Sequence, residues 1–505
     1  MTNWYPTIPD GPGPIYIRLA DRIADDITTG ALEAGAKLPP QRDIAYDLGV
    51  TVGTIGRAYT VIRQRGLVSG EVGRGTFVLG SATATHLVED PKPDLDRFQN
   101  GSGDDLRPAL RQQASSWVPG AMAPQTDTAF AGTRTVVPAP ETIRFDSTSA
   151  PEIGQAAVIR DITTQITLDA PHQIACYTRA VPESWLKAGQ AWLSRNNWQP
   201  DAGSIVPTTG AQAAIMSIIA ATTAPGDLVG FEELTYSSIA RGASLSGRRP
   251  VEIARDEQGP LPEDLARVCA QKHPRILFLM PTMHNPTLGT MGEARRKEIV
   301  AIARQYNLWI IEDEVYGSLR STDLTPIAAL APERTFHVGS LSKSVTAGVR
   351  GGWVSSPISH AQRVYTAHKM LTGGISYLLA ELSARLVLTG AADDFRLKTR
   401  GEIAARHAFV QENLGAYEIE SAPDAPFFWL KVPEPWLSGT FKAAAAASNV
   451  LIDDEDEFKS GRSGIVHHRI RVGFTNPITR EETTKGLEVL KNLLQDNTAC
   501  YDSFE

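Results

Sequence analysis

Ile15, Leu19, Ile23 and Ile27 recur at every fourth position, which places four branched apolar side chains on one stripe of a helix that Gly30 can end. Ile44, Ala45 and Leu48 predict a second, short helix broken by Gly49. Thr51 can cap a third, which runs through Ile55, Ala58, Tyr59 and Ile62 to Arg65. Val68 and Phe77–Val78 bracket Gly70, Gly73 and Gly75, the make-up of a hairpin with a tight tip. Three helices followed by a hairpin is the order of a winged helix-turn-helix, an α+β unit expected over residues 1–80.

Residues 81–142 lose this periodicity and carry seven prolines among Ala, Thr, Ser and Asp, so they read as a long linker. From about Ile143 two rhythms alternate. Apolar runs at Leu228–Phe231, Arg275–Met280, Leu308–Ile311, Thr335–Val338 and Gly352–Val354 predict strands, with amphipathic helices such as Ala211–Ala221 and Glu293–Tyr306 between them. This βαβ order predicts an α/β domain over 143–505, its mostly parallel sheet covered by helices on both faces. The stretch from roughly 395 to 505 reads as a smaller α+β subdomain.

With 42% hydrophobic and 21% charged residues over 505 positions, the composition is that of a soluble chain larger than one small domain. No apolar run approaches the roughly 18–20 residues that span a bilayer. Met1–Pro14 is polar and has no secretory pattern. Cys176, Cys269 and Cys500 lie too far apart in sequence to suggest a disulfide framework or a metal set. The expectation is a cytoplasmic protein with no membrane partner and no metal. A net charge of −8 would argue against nucleic acid if it were evenly spread. It is not: residues 1–80 hold eight basic and eight acidic side chains, and within 51–78 Arg57, Arg63, Arg65 and Arg74 face only Glu71. That local balance permits a DNA-facing surface.

The pieces GALEAGAKLPPQRDIA, LGVTVGTI, the pair Ala58–Tyr59 and GRGTFV carry a resemblance. On them the front segment resembles the GntR-type winged-helix DNA-binding domain along nearly its whole length. The resemblance implies that Val52–Arg65 enters the major groove of double-stranded promoter DNA. Thr54 and Arg57 are the candidates nearest base edges, and Arg42 reaches phosphate or a base from the preceding helix. Arg74 and Thr76 sit on the wing, over backbone or minor groove. Where this family often carries an arginine in the turn before the recognition helix, the chain has Gly53, so affinity leans on Arg42, Arg57 and dimer avidity.

The second half carries chemistry at its predicted strand ends. SLSKS puts Lys343 after Thr335–Val338, where its amine can form a Schiff base with an aldehyde. Ser340 and Ser342 share one side of an extended chain and can donate to a phosphate, to which Arg350 in AGVRGG adds a full charge. IIEDEVYG ends another strand in acid, with Asp313 and Tyr316 suited to a pyridine nitrogen and a phenolic oxygen. Asn285 in MPTMHNPTLGT can donate to that same oxygen. In TTGAQAAI, Gly210 opens a helix whose amides at Ala211 and Gln212 offer a phosphate seat. Tyr236 in FEELTYSS is placed to stack on a ring. An amine, an acid, phosphate donors and a stacking ring are what pyridoxal 5′-phosphate requires. Strand carboxyl ends are where open α/β sheets bind ligands.

On these motifs, residues from about 143 to 495 resemble the fold-type-I pyridoxal phosphate enzymes of the class I/II aminotransferases. The resemblance implies that Lys343 is the catalytic Schiff-base lysine, Asp313 the pyridinium partner, Tyr236 the stacking ring and Arg350 a phosphate ligand. HRIRVGF matches the region of the family's carboxylate-binding arginine, a role that falls to Arg471 as effector-binding residue, with Arg469 second. Tyr177 in ACYTRA matches the tyrosine that reaches the neighbouring subunit's phosphate, although the glycine that normally follows about five residues later is missing. Both halves together resemble the MocR-type transcriptional regulators. That implies a head-to-tail homodimer sensing an amino compound, or the cofactor itself, through the lysine site. The alternative is an active aminotransferase that carries a DNA-binding domain, with Lys343 as proton shuttle.

Overall fold

The computed structural model describes residues 4, 6–8, 15–65, 67–71, 75–79, 141–195, 198–320, 322–461 and 464–495. The chain divides into two units, Met1–Val118 and Pro119–Glu505. Of the expected linker only Glu141 and Thr142 fall among the described residues.

In the front unit the four-residue spacing folds as the helix Ile15–Thr28, which buries Leu19, Ala20 and Ile23. Ile15, at the start of the stripe, is exposed. Two further helices, Gln41–Asp47 and Val52–Gln64, follow. Thr51 caps the third as expected: its hydroxyl accepts the Thr54 amide at 3.3 Å. Ile44, Ile55, Ala58, Tyr59 and Ile62 close against Leu19 and Ile23 as one core. The Tyr59 hydroxyl inside it donates to the Pro39 carbonyl at 2.8 Å. Val68–Glu71 and Gly75–Val78 pair antiparallel as the hairpin. Lys37–Leu38 adds a third strand against Gly75–Val78, two residues being too short to show a period in the sequence.

The larger unit is built on a seven-stranded sheet. Its spatial order is Ile205–Thr208, Gly352–Ser355, Thr335–Ser340, Trp309–Asp313, Ile276–Leu279, Leu228–Glu232 and Arg249–Ile253. Every neighbouring pair is parallel except the two made by Gly352–Ser355, which runs against the rest. Period-two alternation then sorts the side chains. Ile276 and Phe278 join the core shared with helix Ala211–Thr222, whereas Leu277 and Leu279 join the core under helices Pro262–Lys272 and Glu293–Gln305. Continuous apolar strands covered on both faces are the physical content of the predicted α/β domain.

A second, four-stranded antiparallel sheet forms the smaller lobe. Its order is Ile419–Glu420, Phe427–Lys431, Arg469–Gly473 and Asp453–Asp454, and it packs with Ala391–Leu414, Ser438–Ala447 and Arg480–Gln495. Ile143–Arg144 pairs in parallel with Val450–Leu451, and Phe145 is fully buried in this lobe's core. Chain at the start of the unit is thereby built into the lobe formed by its end, which brings Asp146 and Thr148 beside the sites described next. No helix among the described residues is long and apolar enough to cross a membrane.

Candidate functional site

Thr335–Ser340 and Trp309–Asp313 lie side by side, so their C-terminal ends deliver Ser340 and Asp313 to the same edge of the sheet. Three residues past the first strand, the Lys343 Nζ donates to the Thr148 carbonyl at 2.5 Å and approaches the Thr148 hydroxyl at 3.2 Å. It also stands 5.7 Å from the centre of the Tyr316 ring. Burial lowers the Lys343 ammonium to about 8; Tyr236 and Asp313 oppose that fall, while Arg471 and Arg350 add to it. Four residues singled out in the sequence therefore act on one amine.

Asp313 is buried, and its carboxylate accepts the Val315 amide at 3.1 Å. Burial raises it to about 7, with Glu314 adding to the rise and Lys343 and His337 opposing it. A buried acid held at that value suits a cationic partner. Tyr316 shares a 2.6 Å hydrogen bond with Thr148, and its ring meets Phe427 edge-on at 5.3 Å. Thr148, absent from the sequence candidates, thus holds both the amine and the phenol. No local motif marked it.

The expected phosphate seat is assembled from three segments. Gly210, at φ 94°, begins helix Ala211–Thr222. A Cβ at Gly352 would come within 3.0 Å of the Gly210 backbone, so this close approach needs glycine. The Ser340 and Ser342 hydroxyls lie 3.0 Å apart, and Ser340 donates to the Gly351 carbonyl at 3.0 Å. Ala211 is half-buried, Gln212 is exposed, and Arg350 is exposed on a left-handed backbone, φ 57°. Tyr236 is the half-buried residue that starts helix Ser237–Leu245.

Arg471 is buried, and the structure gives it internal partners that its motif did not announce. One terminal nitrogen donates to the Asn285 side-chain oxygen at 3.2 Å; the other donates to the Asp146 carbonyl at 3.2 Å and pairs with the Asp453 carboxylate. Asn285 is left with its amide nitrogens as donors, the end expected to meet a phenolic oxygen. Arg469 instead faces Glu418 at 2.7 Å and Glu420 at 3.2 Å. Tyr177 is 90% exposed and lies by Arg179, Tyr365 and His368 around a different cavity.

On the front unit, Arg57 is exposed on helix Val52–Gln64, six residues past the cap. Thr54 is half-buried, its hydroxyl 3.0 Å from that of Thr51, so it belongs in part to the cap. Thr76 is half-buried in the wing strand. The Arg42 side chain and Arg74 lie outside the described residues.

Comparison with known proteins agrees with this division. Residues 15–78 match the gntR family of bacterial regulatory proteins, and residues 157–490 match aminotransferase class I and II. An HTH-type transcriptional regulator of Bacillus subtilis, YdeF, is 29% identical over 498 residues, covering 98% of each chain. Aromatic-amino-acid aminotransferase 1 of Thermococcus litoralis is 30% identical, covering 69% of this chain and 86% of its own. The fold of LysN, an α-aminoadipate aminotransferase of Thermus thermophilus solved with N-(5′-phosphopyridoxyl)-L-leucine, superposes with a TM-score of 0.62 at 20% identity, over 70% of this chain and 92% of that one. The cofactor of this domain is pyridoxal 5′-phosphate, and the buried acid, the glycine cradle and the amine at Lys343 fit it. With two thirds of its length matched and a GntR unit in front, the chain belongs to the class I and II aminotransferase family.

Proposed function

We propose that this protein is a pyridoxal phosphate-dependent transcriptional regulator of the cytoplasm, which grips promoter DNA through helix Val52–Gln64 and senses an amino compound at the Lys343 site. What supports the reading is the joining in one chain of an exposed Arg57 on a capped third helix to a buried Lys343–Asp313 pair of groups. It is supported further by a regulator of the same kind aligned over 98% of the chain.

When bound, the cofactor supplies an aldehyde carbon that captures amines. Lys343 is the covalent anchor, its amine part neutral near pH 7 because of burial. Asp313 would face the ring nitrogen and favour its protonated form, and Tyr236 would lie against the ring. The amides of Ala211 and Gln212 behind Gly210 hold the phosphate together with Ser340, Ser342, Arg350 and, from a head-to-tail neighbour, Tyr177. Asn285 and Tyr316 direct hydrogen bonds at the phenolic oxygen. Arg471 would hold an effector's acid group, with Lys343 as the group near which its amine would lie. Regulation follows if the effector binds one arrangement of the dimer more tightly than the other.

Arg57 carries the DNA half of the proposal, with Arg42, Thr54, Arg74 and Thr76 as its neighbours at the duplex. Arg57→Ala weakens operator binding by about 1–3 kcal/mol and relaxes the preference for the base pair it contacts. Titrating the operator and single-base variants of it measures this; an unchanged affinity and sequence preference overturn the assignment. Multiple-turnover transamination of ordinary amino and keto acids, without operator binding, would instead favour the reading as an enzyme.

Asp453 carries a prediction for the effector. Its carboxylate competes for Arg471 with any acid the ligand brings. Asp453→Asn therefore tightens binding of carboxylate-bearing amino compounds relative to simple amines, read by titrating each class against the cofactor's absorbance. Equal effects on both classes would remove Arg471 from effector recognition.

A further inference from the structure

The segment that follows Asp313 borders a cavity of about 220 Å³, lined by Arg195, Arg296, Arg320, Arg396, Arg400 and Glu314. Five arginines line it with one glutamate. Three of the five are accounted for. Arg296 donates to the carbonyls of Met291 and Thr325 and to the Thr282 hydroxyl, and stands 3.6 Å from Glu312. Arg320 grips both oxygens of Asp424 at 3.0 and 2.8 Å. Arg396 pairs with Asp393 at 2.8 Å and lies over the Trp192 ring.

The other two are not. The NH1 of Arg195 donates to the carbonyls of Trp192 and Ser194, at 2.8 and 2.9 Å, but its Nε and NH2 are buried without an acceptor among the described residues. Arg400, half-buried, forms no hydrogen bond or ion pair among the described residues. Burial pushes the Arg195 guanidinium down and Arg396 adds to the fall, while Glu314, Glu312 and Asp393 oppose it. Burial, and then Glu312, push Glu314 up, while Arg296, His337 and the Thr282 hydroxyl oppose that rise. Buried guanidinium nitrogens without an acceptor cost stability, and an anion drawn in beside them offsets that cost.

We propose that this cavity is a binding site for a compact oxyanion of the phosphate class, held by Arg195 and Arg400 and separate from the cofactor's own phosphate seat. The planar fork of a guanidinium presents paired N–H donors that match phosphate oxygens. One wall is the segment between Asp313 and Arg320, in which Ser318 donates to the Ser344 hydroxyl at 3.0 Å, one residue from Lys343. The opposite wall is helix Ala391–Leu414, which leads into the smaller lobe. An anion here ties that helix to the segment that carries the cofactor residues.

The test titrates full-length protein saturated with pyridoxal phosphate, by calorimetry at constant ionic strength, with inorganic phosphate in one arm and glycerol phosphate in the other. Saturable binding of one equivalent per chain is expected in at least one arm. Binding in the glycerol phosphate arm alone assigns the site to organic phosphates. Arg400→Gln and Arg195→Gln each weaken it at least tenfold while the cofactor's absorbance stays unchanged; the partly exposed Arg400 keeps the test open if the Arg195 variant does not fold. Arg350→Ala, which acts at the cofactor seat, leaves it intact once cofactor is saturating. No saturable heat in either arm, retention of affinity in Arg400→Gln, or loss of the site in Arg350→Ala would each overturn the proposal.

Discussion

Lys343→Ala abolishes covalent retention of pyridoxal phosphate. After borohydride reduction and proteolysis, the native protein carries the cofactor on the peptide containing residue 343, and the variant carries it on none. The effect is all-or-none because one amine stands at the end of Thr335–Ser340, held by Thr148 and acted on electrostatically by Asp313 and Tyr236. Its rate has a pH signature. The neutral amine is the nucleophile, and burial lowers Lys343 to about 8. Cofactor uptake should therefore rise about tenfold per pH unit below 8 and level off above it. At pH 7 about a tenth of the amine is neutral, two to three orders of magnitude more than for an unperturbed lysine near 10.4. Stopped-flow mixing of cofactor-free protein with pyridoxal phosphate across pH 6–9 measures this. A profile still climbing at pH 9 would show that burial does not activate the amine.

Asp313→Asn has the second large effect, and it acts in opposite directions on the two forms of the protein. With cofactor, the variant loses the buried partner of the ring nitrogen. Removing one member of a buried charge pair costs about 3–5 kcal/mol, so the dissociation constant rises about two to four orders of magnitude. Without cofactor the same substitution stabilises. Burial holds Asp313 at about 7 in the folded chain, against about 3.9 unfolded. Between those values the folded state carries a proton that the unfolded state has lost. Stability of the cofactor-free form therefore falls as pH rises from about 4 to about 7, by about 1.4 kcal/mol per unit where the difference is one full proton. Asparagine removes that fall. Urea midpoints of both cofactor-free proteins at pH 4 and pH 8 should differ little at the lower pH and favour the variant at the higher. Parallel curves would show Asp313 to be ionised throughout.

The residues that carry these effects were legible because each sits on a local pattern. Lys343 and Asp313 follow apolar runs long enough to be recognised as strands, and a strand's end is a fixed place in an open sheet. Arg57 and its cap Thr51 lie six residues apart on one helix. Ile205–Thr208 was missed because Pro207 interrupts a four-residue run, although that strand stands at one edge of the large sheet. Arg471 was read too simply, since nothing near it in sequence announces Asp453 or the Asp146 carbonyl.

What lay in the chain's own order was the kind of each part: a three-helix unit with a hairpin, an alternating α/β domain, and an amine, an acid and a glycine turn at strand ends. Those follow from periodicity and capping, which act over a few residues. The fold alone decided how they are completed. Thr148 reaches Lys343 across 195 positions, Asp146 reaches Arg471 across 325, and Arg195 comes to share a cavity with Arg400. Such contacts arise only when the start of the large unit pairs with its end, through Ile143–Arg144 and Val450–Leu451. Charge compensation in a low-dielectric interior depends on distance in space, and short-range sequence pattern holds no record of it.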